Sequence, residues 1–299
     1  MKIAITGGTG FLGRTLVRLL IENGHEPVIL TRNPGNYGGP AREIGYLRDG
    51  SRPELELGET DAIVNLAGTS INDGRWTDER KADIRESRIR ATAEVLRIIR
   101  ALPVKPEVLV NASAVGVYPY SETDVFTEDS RQGDGFLPGV VREWEWKARS
   151  AEEFGVRTVF MRFGILLGRG GGALPLISLP YRLFAGGTVG SGRQWVSWIH
   201  VEDAARAILF AIEAGSLSGP VNTVAPGAVR MKDFGKEVGR ALGRPHWMPA
   251  PSFALKAALG QKSEIVLKGQ HVVPARLREA GFEFQFPEVR SALEYIYQA

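Results

Sequence analysis

The stretch Thr6-Gly7-Gly8-Thr9-Gly10-Phe11-Leu12-Gly13 has the residue types and spacing to hold a phosphate group. It contains both Gly8-x-Gly10-x-x-Gly13 and Gly7-x-x-Gly10-x-x-Gly13. Glycines turn the chain tightly and let backbone N–H groups approach a pyrophosphate. A helix starting inside the stretch adds the positive end of its dipole. A lone GxGxxG is a weak signal. Here the apolar run Lys2-Ile3-Ala4-Ile5-Thr6 precedes it and a helix-period run follows, which makes it specific. About 20 residues further on, the next apolar run ends in Thr31-Arg32. An acidic residue there would bind the ribose 2′-hydroxyl of NAD. Arg32 suits a 2′-phosphate instead, so the expectation is NADP(H) ahead of NAD(H).

A second group of candidates follows the apolar run at 107–111. Ser113 can hydrogen-bond a substrate oxygen, and Tyr118 can serve as an acid. The plainer alternative for Tyr118 is packing within a loop. Tyr120, Asp124, Glu128 and Asp129 read as a solvated polar loop. The run Gly190-Ser191-Gly192-Arg193-Gln194-Trp195-Val196-Ser197-Trp198-Ile199-His200 combines flexible glycines, an anion-binding Arg, an amide and two indole faces. Arg193, Gln194 and Trp195 are candidates for substrate contact, whereas Trp198 reads as core. His200 with Asp203 reads as a capping pair at a helix entrance. No His, Asp or Glu spacing suggests a metal site, and the absence of cysteine excludes thiolate chemistry and disulfides.

The elements that must position these groups alternate between two hydrophobic periods. Strands are predicted at 2–6, 27–30, 61–66, 107–111, 157–162 and 219–224. Helices are predicted at 11–23, 78–101, 140–154 and 202–213. This alternation implies an α/β, Rossmann-like, doubly wound parallel sheet covered on both faces. Residues 168–195 are Gly-rich, and residues 226–299 hold many prolines, two predicted short helices and the strand-like run Gly281-Phe282-Glu283-Phe284-Gln285-Phe286. The expected division is therefore a dinucleotide-binding domain, 1–167 with 196–225, and a smaller substrate-capping domain, 168–195 with 226–299. Ligands of such sheets bind at the strands' C-terminal edge, below this cap.

Composition narrows the classes further. The chain has 299 residues, 43% hydrophobic and 24% charged, with 37 basic and 34 acidic residues giving a net charge of +3. Basic residues are interspersed rather than striped, which argues against nucleic acid as a partner. No apolar run reaches the roughly 18–20 residues of a membrane span. The expected setting is cytoplasmic, without a membrane partner.

Several stretches together resemble the extended short-chain dehydrogenase/reductase superfamily, in particular its atypical NAD-dependent epimerase/dehydratase-like ("sugar nucleotide epimerase") group, some of whose members are labelled cell-division inhibitors. Besides the phosphate loop they are Asn65-Leu66-Ala67-Gly68, Arg75-Trp76-Thr77, Ser87-Arg88, Ser113 to Tyr118, Trp144-Glu145, Arg162 to Gly168, Gly171 to Leu174, Gly190 to Trp195 and Trp198-Ile199-His200. The segment from Leu267-Lys268-Gly269-Gln270 to Gly281-Phe282 resembles the small domain of unknown function that accompanies the group. The resemblance implies cofactor contacts at Gly7, Thr9, Gly10, Phe11, Leu12, Gly13, Thr31, Arg32, Leu66, Ala67, Gly68, Arg88, Arg162 and Gly164. It implies substrate contacts at Arg75, Arg193, Gln194 and Trp195, and a homodimer.

The superfamily's chemistry uses a Tyr and a Lys four residues apart. Counted back from Arg162, those places fall on Leu137 and Val141, neither of which exchanges a proton; Glu145 matches the superfamily's helix Glu. Ser113 matches the first of two strand-end serines, and Ala114 stands at the second. Two functions fit. One is an NADP(H)-dependent oxidoreductase or epimerase-like enzyme acting on an unknown small polar substrate, a nucleotide-sugar-like one among the options, with Ser113 and Tyr118 as catalytic candidates. The other is a non-catalytic NADP(H) redox sensor or regulator, linked to cell division by resemblance alone.

Overall fold

In the computed structural model, residues 1–298 are described. Strands that are apolar on both sides must be covered on both sides, and parallel pairing allows that. Seven of them form one parallel sheet in the order Gly219–Thr223, Arg157–Phe163, Val108–Ala114, Ala62–Asn65, Lys2–Thr6, Glu26–Thr31, Arg42–Gly45. On one face Ile3, Ile5, Ile29, Val64, Val110 and Met161 pack with Leu12, Leu16 and Leu20 of helix Phe11–Glu22 and with Ile208 of helix Val201–Glu213. On the other, Ala4, Val28, Leu30, Ile63, Leu109 and Phe160 meet Val95, Ile98 and Ile99 of helix Asp78–Ala101. Each fully buried Leu or Ile is worth roughly 1.5–3 kcal/mol, so the alternation along the strands stabilises both layers. The strand order reverses between Lys2–Thr6 and Ala62–Asn65. That reversal opens a crevice at their C-terminal ends.

Several boundaries differ from the sequence reading. Strand Arg42–Gly45 and the short helix Pro53–Leu57 were not expected. Strand Val108–Ala114 runs past 111, so Ser113 lies within it rather than after it. The helix expected at 140–154 begins at Phe136 and ends at Arg149, giving way to a 3-10 turn at Ser150–Phe154. Pro138 and Gly139 hid its start, yet Pro is tolerated in a first turn because the N–H groups there have no partner in the helix.

The C-terminal region holds more helices than two: Met231–Leu242, Ser252–Leu259, Glu264–Leu267, Ala275–Glu279 and Val289–Gln298. Gly235 disguised the first, but a Cβ there would lie 2.7 Å from Tyr181 Oη and from His246 Cε1, so only glycine lets these elements meet. The Gly281–Phe286 run is not a strand. The N–H groups of Gln285 and Phe286 donate to the Asp203 carboxylate at 3.0 and 2.8 Å, and its rings pack among themselves and against Phe210, His200 and Tyr295. Leu174, Tyr181, Trp198, Phe234, Val238, Leu293 and Ile296 form a further apolar cluster around helices Leu174–Arg182, Met231–Leu242 and Val289–Gln298.

Beneath the crevice, buried polar side chains tie the layers together. Thr6 Oγ1 donates to Asn65 Oδ1 at 2.6 Å, and Asn65 Nδ2 donates to Asn111 Oδ1 at 2.7 Å and Thr92 Oγ1 at 3.0 Å. Trp144 Nε1 also donates to Thr92 Oγ1, at 3.0 Å. One amide thus joins three strands to one helix directly and to a second through Thr92. Its loss leaves several buried groups unsatisfied, so Asn65→Ala is expected to cost roughly 2–4 kcal/mol. A urea titration reads this as a lower midpoint at unchanged slope; an unmoved midpoint would contradict it.

Candidate functional site

The phosphate loop crosses the crevice where the strand order reverses. Gly7 has a φ of 71°, and a Cβ on it would come within 2.8 Å of the Leu66 carbonyl carbon. A Cβ on Gly13 would lie 2.2 Å from Gly7 O and 2.6 Å from Gly8 Cα. Only glycines therefore seat helix Phe11–Glu22 directly on the turn. Gly10 is its N-cap and supplies no side-chain bond, so the first N–H groups of Phe11, Leu12 and Gly13 have no partner within the helix. The turn closes through Gly10 N–H on Gly7 O at 3.0 Å, leaving Thr9 and Gly10 at the surface of the crevice.

Phe11 explains the Gly-rich stretch at 168–172. Cβ atoms on Gly168 and Gly171 would fall 2.7 and 2.2 Å from its ring, so this segment folds flat over the loop. Leu66 and Ala67 are half-buried opposite Gly7, with Ala67 N–H on Thr6 Oγ1 at 3.3 Å, and Gly68 is exposed beyond them. Arg88 lies beneath Gly68. It donates to the carbonyls of Thr69 and Ile84 at 3.1 and 2.7 Å, stacks on Trp144, and burial pushes its pKa down to about 10. At the next strand end, Thr31 Oγ1 accepts from Asn33 N–H, and Arg32 is exposed with no hydrogen bond or ion pair among the described residues.

Sequence reasoning missed Arg14. Its Nε donates to Thr9 O at 2.9 Å and its guanidinium lies 5.3 Å from the centre of the Tyr37 ring. It lines a cavity of about 560 Å³ with Thr9, Gly10, Phe11, His200 and Tyr295. A basic residue in the first turn after a glycine loop was the available signal.

Both catalytic candidates lie inside the protein, on one chain of bonds. Ser113 Oγ donates to Glu145 Oε1 at 2.5 Å. Glu145 takes two bonds from Arg162, at 2.8 and 2.9 Å, and Arg162 Nη1 donates to Tyr118 Oη at 2.8 Å. Tyr118 in turn donates to Asn222 Oδ1 at 2.7 Å. Ser113, Tyr118, Glu145 and Arg162 are 4%, 1%, 7% and 2% exposed. Burial raises the Tyr118 pKa despite the lowering effect of Arg162, so the phenol holds its proton more firmly than a free tyrosine. The Ser113 hydroxyl hydrogen is engaged by Glu145, so towards any substrate it offers lone pairs. Arg162, expected at the cofactor, is committed to Glu145 and Tyr118. Gly164 serves a close crossing of backbones, since a Cβ there would meet Ser197 O at 2.6 Å. Leu137 is half-buried beside Gly116, and Val141 is buried among Val117, Tyr118 and Phe126.

The substrate candidates are dispersed among other contacts. Arg75 donates to the carbonyls of Ala257 and Ala258 at 2.6–3.0 Å, and Lys262 Nζ returns to those of Asn72 and Gly74, closing the 69–76 loop onto the 252–263 segment. Arg193 is exposed and paired with Glu122 at 3.2 Å. Gln194 is buried, its amide on the carbonyls of Val189 and Val266. Trp195 stacks between His271 and Arg230. His200 caps helix Val201–Glu213 through Nδ1 on Glu202 N–H at 3.2 Å. Among the described residues no group of three or more His, Cys, Asp or Glu could hold a metal ion, and no helix is long and apolar enough to cross a membrane.

The family model described as NAD dependent epimerase/dehydratase family matches residues 3–223, and a domain of unknown function, DUF1731, matches residues 250–296. The chain is 47% identical, over 99% of its length, to Epimerase family protein YfhF of Bacillus subtilis (strain 168), of which 98% is covered. It is 43% identical over 100% of its length to the chloroplastic Epimerase family protein SDR39U1 homolog of Arabidopsis thaliana, of which 87% is covered. Among solved structures, human epimerase family protein SDR39U1 (isoform 2) with NADPH superposes with a TM-score of 0.89 at 35% identity, over 100% of this chain and 99% of that one. A UDP-N-acetylglucosamine 4-epimerase from Bacillus cereus gives 0.78 at 19% identity over 100% and 96%, a likeness of fold alone.

The buried imidazole of His200 supplies a pH test. Burial pushes its pKa from 6.5 to about 4, although the Asp203 carboxylate works the other way. The unfolded chain therefore binds a proton below pH 6.5 that the folded chain refuses until near pH 4. Stability falls as pH drops through that window, by at most about 3 kcal/mol from this group. His200→Asn, which keeps a capping acceptor, is expected to flatten the fall in a urea series at stepped pH; an unchanged slope would contradict the assignment.

Proposed function

The chain belongs to the NAD dependent epimerase/dehydratase family, and from that membership we propose that it is an NADP(H)-dependent oxidoreductase or epimerase-like enzyme working without the Tyr-x-x-x-Lys pair. The observation supporting this reading is the uncapped helix N-terminus at Gly10, laid across the strand reversal with an uncommitted Arg32 at the neighbouring strand end. The N–H groups of Phe11, Leu12 and Gly13 bind the pyrophosphate, and Arg32 pairs with the 2′-phosphate. Leu66, Ala67 and Gly68 wall the crevice. The related human protein named above was solved with NADPH.

When bound, the nicotinamide supplies hydride chemistry. The chain's own residues orient the substrate and do not donate to it. Leu137 and Val141 exchange no protons. Ser113, its hydrogen held by Glu145, accepts a bond from a substrate hydroxyl, so the site suits a small polar alcohol or sugar and takes its protons from water. A second reading is a redox sensor. Its support is the engagement of Tyr118 by both Arg162 and Asn222, which takes the titrating member of the two catalytic candidates away from a substrate. NADP+ reduction by alcohols, NADPH oxidation by carbonyl compounds and epimer formation from nucleotide sugars together separate the two, since a sensor catalyses none of them.

Cofactor choice has its own test. Arg32→Ala is expected to weaken NADPH binding about 10–100-fold while changing NADH binding less than about twofold, because only the 2′-phosphate contact is lost. Calorimetric titration with both cofactors reads this. Equal loss for the two, or none for NADPH, would sink the assignment.

A further inference from the structure

Large apolar side chains are unusually exposed on the part of the molecule built from helix Leu174–Arg182 and residues 246–259. The helix buries Leu174, Ser178 and Tyr181. Its other side exposes Leu176 and Leu179 at 58% and 51%, and Leu183 follows at 69%. Phe184, Trp247 and Met248 extend this surface at 56%, 63% and 43%. They are fastened to one another, not scattered. Trp247 Nε1 donates to Phe184 O at 2.8 Å, and the N–H groups of Trp247 and Met248 share Gly186 O. Helix Ser252–Leu259, sequence SFALKAAL, buries none of its residues and leaves Phe253 76% exposed. The six side chains from Leu176 to Met248 expose on the order of 700 Å², more than the few hundred Å² of an ordinary monomer's largest apolar patch.

The two segments that carry the patch hold charges of one sign only. No Asp or Glu occurs between Glu153 and Glu202, or between Glu237 and Glu264. Within those segments Arg182, Arg244 and Lys256 are exposed and take part in no ion pair among the described residues. Arg244 lies 4.5 Å from the centre of the Phe184 ring, so cation and apolar surface are presented together. A second copy docked on this patch about a two-fold axis would bring like charges together. Indole, phenyl and leucine side chains beside unpaired Arg and Lys are what an interface of acyl chains and anionic headgroups takes up.

We propose that this patch docks the protein peripherally on a membrane surface bearing anionic lipids. Leu183, Phe184, Trp247 and Met248 enter the acyl boundary, and Arg182, Arg244 and Lys256 lie at headgroup level. This revises the sequence-based expectation of no membrane partner and is independent of the cofactor reading. The test is co-sedimentation of the full chain with phosphatidylcholine vesicles, with and without about one-third phosphatidylglycerol. The chain is expected to pellet with the mixed vesicles and bind phosphatidylcholine alone at least about tenfold more weakly. Leu179→Glu with Leu183→Glu, both at exposed positions, is expected to abolish pelleting while leaving the urea midpoint unchanged. Three results would overturn the proposal: no pelleting with either vesicle, equal pelleting by the double variant, or a lipid-free dimer that the double variant dissolves. The last would assign the patch to a second copy.

Discussion

Arg162 is a full positive charge at 2% exposure, and its surroundings are arranged to satisfy it. An unpaired buried guanidinium is untenable, because removing one partner of such a pair typically costs about 3–5 kcal/mol. Glu145 supplies two bonds from helix Phe136–Arg149, Tyr118 a third from the loop after strand Val108–Ala114, and the carbonyl of Glu128 a fourth. Asn222, on the edge strand, then holds Tyr118 through its side-chain oxygen and donates its own backbone N–H to the Glu128 carboxylate. One cation thereby fixes three strands, a helix and the 115–130 loop beside the crevice. The same requirement consumes the groups that chemistry would want. The Ser113 hydroxyl donates its hydrogen bond to Glu145, and the Tyr118 hydroxyl donates its own to Asn222.

The crevice itself rests on a steric constraint rather than a charge. Gly7 and Gly13 let helix Phe11–Glu22 sit so close to the turn that any side chain at Gly13 would collide with Gly7 O. Phe11, held under the flat glycine segment at 168–172, then secures the loop from above. Positioning is thus strong on the cofactor side and closed on the proton-donor side. That asymmetry underlies both functional readings and matches a chain with Leu137 and Val141 where a Tyr and Lys would otherwise stand.

Most of the sheet was legible because its strands are continuous apolar runs bounded by turn residues, and the phosphate loop because its glycines have a backbone purpose. Arg42–Gly45 was missed because an edge strand of four residues with two charged side chains carries no periodic signal. The Phe282, Phe284 and Phe286 alternation looked like a strand, but its N–H groups are satisfied by the Asp203 carboxylate, a partner some eighty residues away that no local pattern announces. For the same reason the site was only half readable. Residue types at Ser113, Tyr118, Arg75 and Gln194 suggested ligand contacts, yet their partners are Glu145, Asn222, the end of a distant helix and two carbonyls. Sequence spacing gives the side chain but not what already occupies it.

The most direct measurement is a paired one on Tyr118→Phe, the urea midpoint and the affinity for NADPH. Removing the hydroxyl takes one partner from Arg162 and one donor from Asn222. The account therefore predicts a loss of roughly 1–3 kcal/mol of stability with the NADPH dissociation constant unchanged within about twofold. An unmoved midpoint, together with a tenfold or greater change in NADPH binding or oxidation, would contradict it and return Tyr118 to the reacting centre.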